Sequence, residues 1–557
     1  MASAGLAAFV RTQIARARAL GWPESALLAS VLVWIAAWLR PKFLHVWSAG
    51  WIEWDARAMG LAAWRFHGTG LFPRDLGADL ASAMCPPGWK LLYWIGTLFT
   101  DPYQVSRLLP FGLVAFVAWQ VFACARARGG PVVAAATLFL VLRCPFLWDR
   151  ICGANPRAFG LPLVIAFLRY ALERRGRATA AVLLAQAAFY PSVLMVCAPA
   201  FALLCVRDAW RDRSIRPLVL LAICGVACAA LVAPTVLFVD PRIGPAITIE
   251  QLAHLEQRSI WSLYPLPPHR WIFTRAYYLP LQDDAPGPLT TVPVGHAIDF
   301  AIGVLAAIVF SVAALRRKLP FALYATAACS IAAYFAACAV AYRLYVPDRL
   351  LHYVSVPIIL LFFVPLTAEL LTLLKVLRAP LLASVLVVAA TVVASGDGLA
   401  VIHELRDFRP RNDKSFDFIA KLPRDVLIAA HPARSSDIEV FGQRSVLFSG
   451  ISNAPNFATY GLTVERRISE FYTAYYAADL STVRRFVANQ HLDYLVVDQR
   501  DFGPKAYERA AYVEPWTLQA QGLLDKTPAA SMVLANPPAN AIVFQDGPVC
   551  VLDAHAL

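Results

Sequence analysis

Long apolar runs separated by short, arginine-rich loops constrain this chain more than any other feature. Crossing the hydrocarbon core of a bilayer takes roughly 20 helical residues, and runs approaching that length recur between residues 26 and 396. Only 16% of the 557 residues are charged and 59% are hydrophobic, against about 25% charged in soluble domains. A soluble core cannot absorb so much apolar sequence. The expectation is a polytopic α-helical membrane protein.

The positions of the basic residues orient the runs, because short cytoplasmic loops retain Lys and Arg. Arg11, Arg16 and Arg18 precede the first run, 26–39, and Arg40-Pro41-Lys42 follows it without a small-residue cleavage site, so the first run reads as an uncleaved helix with a cytoplasmic N-terminus. Further runs lie at 106–123, 131–148, 158–172, 217–239, 298–315, 319–342, 351–374 and 380–396, with 178–206 read as two short helices broken at Tyr190-Pro191. Loops 124–130, 173–177, 207–216, 316–318 and 375–378 then all fall inside; 41–104, 149–157, 240–296 and 343–350 fall outside. The pattern closes with about eleven transmembrane helices, a membrane domain over 1–398 and an extracytoplasmic segment over 399–557. The net charge of +13 at pH 7 follows from this loop pattern, and no nucleic-acid partner is expected. The partner the composition demands is the lipid bilayer. Of eleven cysteines, eight lie in or beside apolar runs as small hydrophobes, Cys85, Cys152 and Cys550 read as more exposed, and no spacing suggests zinc or a disulfide framework.

Within the first outer loop stands Trp51-Ile52-Glu53-Trp54-Asp55-Ala56-Arg57. Tryptophan gathers where membrane meets water, so Glu53 and Asp55 are expected just outside the bilayer. Carboxylates there suit metal binding or acceptance of a proton from a substrate hydroxyl; the plain alternative is a polar loop. Pro86-Pro87-Gly88-Trp89-Lys90-Leu91-Leu92-Tyr93-Trp94 reads as a helix lying on the outer surface. Residues 399–557 are mixed in composition. The runs 425–430, 446–448 and 494–498 read as strands, with helical patterns such as 463–487 between them, which gives a small α/β domain. It carries no phosphate loop, HExxH or Gly-x-Ser-x-Gly, and reads as a lid or acceptor-docking domain.

An acidic motif opening the outer loop after the first span, a Pro-Pro leading into an aromatic surface helix and then Ser106-Arg107-Leu108-Leu109-Pro110, and a series of spans closed by an outer soluble domain: this layout resembles the GT-C superfamily of integral-membrane glycosyltransferases, in the manner of aminoarabinose transferases and protein mannosyltransferases. The resemblance implies a GT-C-like fold with a C-terminal extracytoplasmic α/β domain, in a bacterial inner membrane. It implies a polyprenyl-phosphate-linked sugar as donor and a glycan, lipid or protein as acceptor. It makes Asp55 the catalytic carboxylate, with Glu53 as runner-up and Asp149 as the assisting acid of the second outer loop. A divalent cation (Mg or Mn) at Glu53 and Asp55 is a further expectation, since the family holds metal-dependent and metal-independent members. Where aminoarabinose transferases place a Lys before the Pro-Pro, this chain has Cys85, and Lys90 is the nearest base. The oligosaccharyltransferase signature Trp-Trp-Asp-Tyr-Gly is absent, which speaks against an Asn-glycosylating subunit.

Glycosyl transfer needs a base for the acceptor hydroxyl and positive charge for the departing lipid phosphate. Asp55 could serve as the base. The phosphate candidates are Arg57, Arg150, Arg157, Arg343, Arg349, His352 and Lys90, arginine being suited to phosphate by its planar fork of donors. Rival readings are a transporter or flippase for a lipid-linked glycan, which would show matched broken helices, and a non-catalytic membrane scaffold.

Overall fold

A computed structural model of the chain describes residues 52–237, 239–247, 319–339, 347–373, 413–449, 457–503 and 516–557, with the single positions 33, 36 and 312. The expected spans at 26–39, 298–315 and 380–396 therefore lie outside the described residues, apart from those three positions, as does most of the loop 240–296.

Three short helices fill the first loop: α1 (Trp54–Trp64), α2 (Leu76–Met84) and α3 (Pro87–Gly96). Acidic caps start the first two. Glu53 accepts from Ala56 N at 2.9 Å and Asp75 from Ala78 N at 2.9 Å, satisfying amides that have no partner in the first helical turn. α3 starts on Pro87, whose missing N–H costs nothing there. At ten residues, about 15 Å of rise, it is too short to span. Its buried face carries Trp89 and Tyr93, while Leu91, Trp94, Ile95 and, just beyond it, Leu98 and Phe99 are exposed.

The helical stretch α4 (Pro102–Arg143) covers two of the expected spans. Instead of a loop at 124–130, helix continues to Gly129 and is interrupted at Gly130, whose φ of +81° is open to glycine; Pro131 then begins the second arm. α5 (Pro145–Ile151), a 3₁₀ turn (Pro156–Phe159) and α6 (Gly160–Leu172) follow, then α7 (Gly176–Phe189) and α8 (Pro191–Asp212), parted at Tyr190. α9 (Arg216–Leu237), α10 (Phe321–Ala339) and α11 (Asp348–Leu373) complete the described bundle. Among the described residues five helices are long and apolar enough to cross a membrane: Pro102–Leu142, Pro191–Asp212, Arg216–Thr235, Phe321–Ala339 and Arg349–Thr367.

The helices sort the charged ends. Gly160, Pro191 and Asp348 begin α6, α8 and α11 at one end of the bundle. Following those helices leads to Arg169, which bonds Gln120 at 2.8 Å and Glu173 at 2.9 Å, to Arg207 over the Phe321 ring, and to Phe362 beneath Arg128. The described basic loops, 124–130, 173–177 and 207–216, thus gather at the opposite end from the acidic motif.

Residues 413–557 build a five-stranded mixed sheet: β1 (Leu427–Ala430), β2 (Ser445–Val446), β3 (Tyr494–Asp498), β4 (Ile542–Asp546) and β5 (Val549–Asp553), in the order β2-β1-β3-β5-β4. β1 pairs in parallel with β2 and β3, and β5 runs antiparallel to β3 and β4. The helices are α12 (Lys414–Ile419), α13 (Pro432–Asp437), α14 (Ala458–Tyr475), α15 (Leu480–Gln490) and α16 (Trp516–Lys526). One core of this domain takes in Leu80 of α2 and Ile243 from the start of the long loop, so the first loop and the C-terminal domain pack as one body. Cys85, Cys152 and Cys550, expected to be exposed, are buried.

Candidate active site

The acid motif meets the second outer loop. Asp55 lies in the first turn of α1 and Glu53 caps it. Arg157, in the 3₁₀ turn after α5, reaches both: Nη1 stands 2.8 Å from Asp55 Oδ2 and Nη2 3.5 Å from Glu53 Oε1. Asn155 Nδ2 donates to Asp55 Oδ2 at 3.4 Å, and Asn155 is buried with its Oδ1 unpartnered. Asp55 keeps 35% of its side-chain exposure, and its Oδ2 is the oxygen that Arg157 and Asn155 hold.

Backbone geometry sets this loop. Gly153 takes φ +80°, and an added Cβ would stand 2.2 Å from Glu53 Oε2. The carbonyl of the next residue, Ala154, accepts from Trp89 Nε1 at 2.9 Å and from the Tyr93 hydroxyl at 3.2 Å, with the two rings stacked at 3.9 Å. The aromatic face of α3 thereby clamps the loop that carries Arg157.

Beside the acids lies a cluster of cations and phenols. Arg349 Nη1 donates to the Tyr190 hydroxyl at 3.2 Å, and Arg150, Arg157 and Arg349 all lie within electrostatic reach of the Tyr353 hydroxyl. Arg150 is buried, with its guanidinium 5.0 Å from the Phe146 ring, and His352 is buried against the edge of the same ring. Gly160 lets the Tyr353 and Tyr190 rings close over the start of α6.

Of the residues proposed from sequence, Glu53, Asp55, Arg150, Arg157, Arg349 and His352 converge at this end of the bundle. Arg57 does not. It is buried, with Nη1 2.5 Å from Asp437 of the C-terminal domain, because residues two apart on a helix face different ways. Lys90 lies beside Cys85 on α3, and no hydrogen bond among the described residues joins it to the acids. Asp149 lies in α5 with its side chain outside the described residues, and Arg343 lies outside them altogether. Sequence reasoning missed Asn155 and Tyr353; an Asn preceding Pro156 as the cap of a turn was the available signal for the first.

A divalent cation of the Mg or Mn class prefers several oxygen ligands, carboxylates among them. Here the two carboxylates converge on a guanidinium instead, and among the described residues no third His, Cys, Asp or Glu completes a set. Among the described residues, an ion at Glu53 and Asp55 would have to displace Arg157 from both carboxylates.

No protein-family model matches the chain, and no curated protein matches it. Solved structures do. The apo oligosaccharyltransferase of Archaeoglobus fulgidus aligns over 91% of this chain and 73% of its own, at 14% identity and a TM-score of 0.51. AglB from the same organism, in complex with an inhibitory peptide and a dolichol-phosphate, aligns over the same shares at 13% identity and a TM-score of 0.52. At such identities the likeness concerns the fold alone: the chain has a fold similar to that of the archaeal oligosaccharyltransferase.

Proposed function

We propose that this protein is a membrane glycosyltransferase that moves a sugar from a polyprenyl-phosphate donor to an acceptor on the extracytoplasmic face. The observation that carries the proposal is the Arg157-held Asp55, half-open and next to a cluster of arginines at one end of the bundle. A fold shared with a protein that binds dolichol-phosphate supports the lipid-phosphate donor.

In this reading the acceptor hydroxyl attacks the anomeric carbon. The acceptor-oxygen-to-carbon bond forms as the carbon-to-phosphate-oxygen bond breaks, the bonding pair leaves on the lipid phosphate, and Asp55 takes the hydroxyl proton. Arg150 and Arg349 stabilise the charge that develops on the phosphate. The exposed apolar face of α3 lies in the membrane interface, and the C-terminal domain, on the same side, covers the first loop. The acceptor is a glycan, lipid or peptide. The missing Trp-Trp-Asp-Tyr-Gly signature weighs against asparagine in a peptide.

The test is transfer of labelled sugar from a panel of polyprenyl-phosphate monosaccharides by the purified chain and its Asp55→Asn variant. The expected loss is about 10²- to 10⁴-fold, the usual contribution of a positioned base. Equal turnover by both proteins would move the role to Glu53.

A further inference from the structure

We infer that Arg157 takes the place of a divalent cation at the acid motif, so that transfer by this chain needs no metal. The inference rests on the transferase reading of the site. A metal between Glu53 and Asp55 would have two tasks: to hold the carboxylates in one arrangement and to supply positive charge for the leaving phosphate. The guanidinium already does the first, with one nitrogen on each carboxylate at 2.8 and 3.5 Å. The second is met without a metal as well. Arg150, Arg157 and Arg349 all lie within electrostatic reach of the Tyr353 hydroxyl, and Arg349 donates to the Tyr190 hydroxyl at 3.2 Å, so guanidinium groups already stand where the phosphate charge would develop. Adding a dication would set it against Arg157 at close range, in a partly buried site where like charges repel strongly.

Arg157 is also placed as a built part, not as a surface side chain that happens to reach an acid. It sits in the 3₁₀ turn that follows the buried Asn155. The Ala154 carbonyl is clamped by two aromatic donors, and at Gly153 an added Cβ would stand 2.2 Å from Glu53 Oε2. Arginine stays charged at any working pH, so the substitute cation cannot be lost as a metal can.

The experiment titrates Mn²⁺ into the purified full chain in nanodiscs, followed by electron paramagnetic resonance, beside transfer assays with and without EDTA. For the wild type we expect no stoichiometric Mn²⁺ and transfer unchanged by the chelator. In Arg157→Ala the two freed carboxylates should take up one Mn²⁺ that Glu53→Gln in the same background removes, and transfer should fall by about 10²- to 10³-fold, as for loss of one preorganised donor to developing charge. Arg157→Lys, which keeps the charge, should fold, exclude Mn²⁺ and retain partial transfer. A stoichiometric Mn²⁺ in the wild type that Asp55→Asn abolishes would overturn the inference; so would transfer lost in EDTA and restored by Mn²⁺, or wild-type transfer by Arg157→Ala. If no donor is turned over at all, the transferase reading fails, while the Mn²⁺ titration still decides whether the guanidinium excludes a metal.

Discussion

At the scale of single residues, the site depends on contacts that tolerate little added volume. Gly153 combines a left-handed φ of +80° with a Cβ direction that ends 2.2 Å from Glu53 Oε2. Gly153→Ala should therefore cost about 1–3 kcal/mol of stability through backbone strain. It should also push Glu53 away from Arg157. The check is a thermal midpoint together with turnover: both should fall, and an unchanged midpoint with unchanged turnover would show that the loop relaxes freely. Asp55 and Arg157 were readable from the sequence because ionisable residues beside apolar runs on the expected outer face are conspicuous. The exclusion of Arg57 was not. It follows only once α1 is known to be a helix, since Asp55 and Arg57 then point to different faces and Arg57 goes to Asp437. Tyr353 was hidden for a different reason. Inside an apolar run a tyrosine looks like core, and only the third dimension brings Arg150 and Arg349 beside it.

At the scale of elements, α3 connects the membrane face to the chemistry. Its outward residues are apolar and exposed, while Trp89 and Tyr93 both donate to the Ala154 carbonyl. Because the carbonyl has two donors, Trp89→Phe or Tyr93→Phe alone leaves it one partner, and each should be mild. The double variant leaves a buried carbonyl unpaired, a loss of about 1–3 kcal/mol. We expect a double-mutant cycle on the thermal midpoint to be non-additive, with turnover lost mainly in the double variant; strict additivity would show that the clamp does not act as one unit. The element pattern also marks where sequence reading stops. β1, β2 and β3 stand where apolar, β-branched runs placed them. The hairpin β4–β5 was passed over although Asp546-Gly547 stands at its turn and Gly547 takes φ +55°. The helix through 124–129 was read as a loop because its arginines mark a membrane edge, and helices extend past such edges readily.

At the scale of the whole molecule, the C-terminal domain is seated on the first loop through charged and buried polar contacts. Arg74 bonds Asp493 at 2.8 Å, Arg57 bonds Asp437, and Asp75 Oδ2 accepts from Val446 N at 2.9 Å. In the middle of this seam two carboxyls lie together, Asp75 from the loop and Glu439 from the domain, both buried. Burial raises Asp75, against hydrogen bonds from Val446 and Ala78 and the charge of Arg65, which lower it. Burial first, and then the neighbouring Asp75, hold Glu439 well above the usual carboxylate range, with Ser449 opposing. The charges of Arg467 and Asp75 also reach one another. Raised values mean that the docked state binds protons the separated state would release, so stability falls as pH rises. The contribution is fully present below the ordinary carboxylate range, about 4, and is lost as pH climbs through the raised Glu439 value. We therefore expect the thermal midpoint of the full chain, or the resistance of residues 413–557 to protease, to decline as pH rises above the ordinary carboxylate range, and more steeply than in Glu439→Gln, whose amide is neutral throughout. Asp75→Asn should weaken docking at every pH, because it removes a carboxylate that accepts two backbone amides. A wild-type midpoint without pH dependence, or an equal slope in Glu439→Gln, would show that the pair does not bind the proton. The seam bears on the chemistry through two residues: Asp437, two positions before Glu439, holds Arg57, and Arg57 stands two residues along the same helix from the carboxylate at the centre of the proposed reaction. A domain that loosens as Glu439 ionises would release α1 at that point, so the part of the pH dependence of turnover that follows docking should disappear in the same variant that flattens the stability.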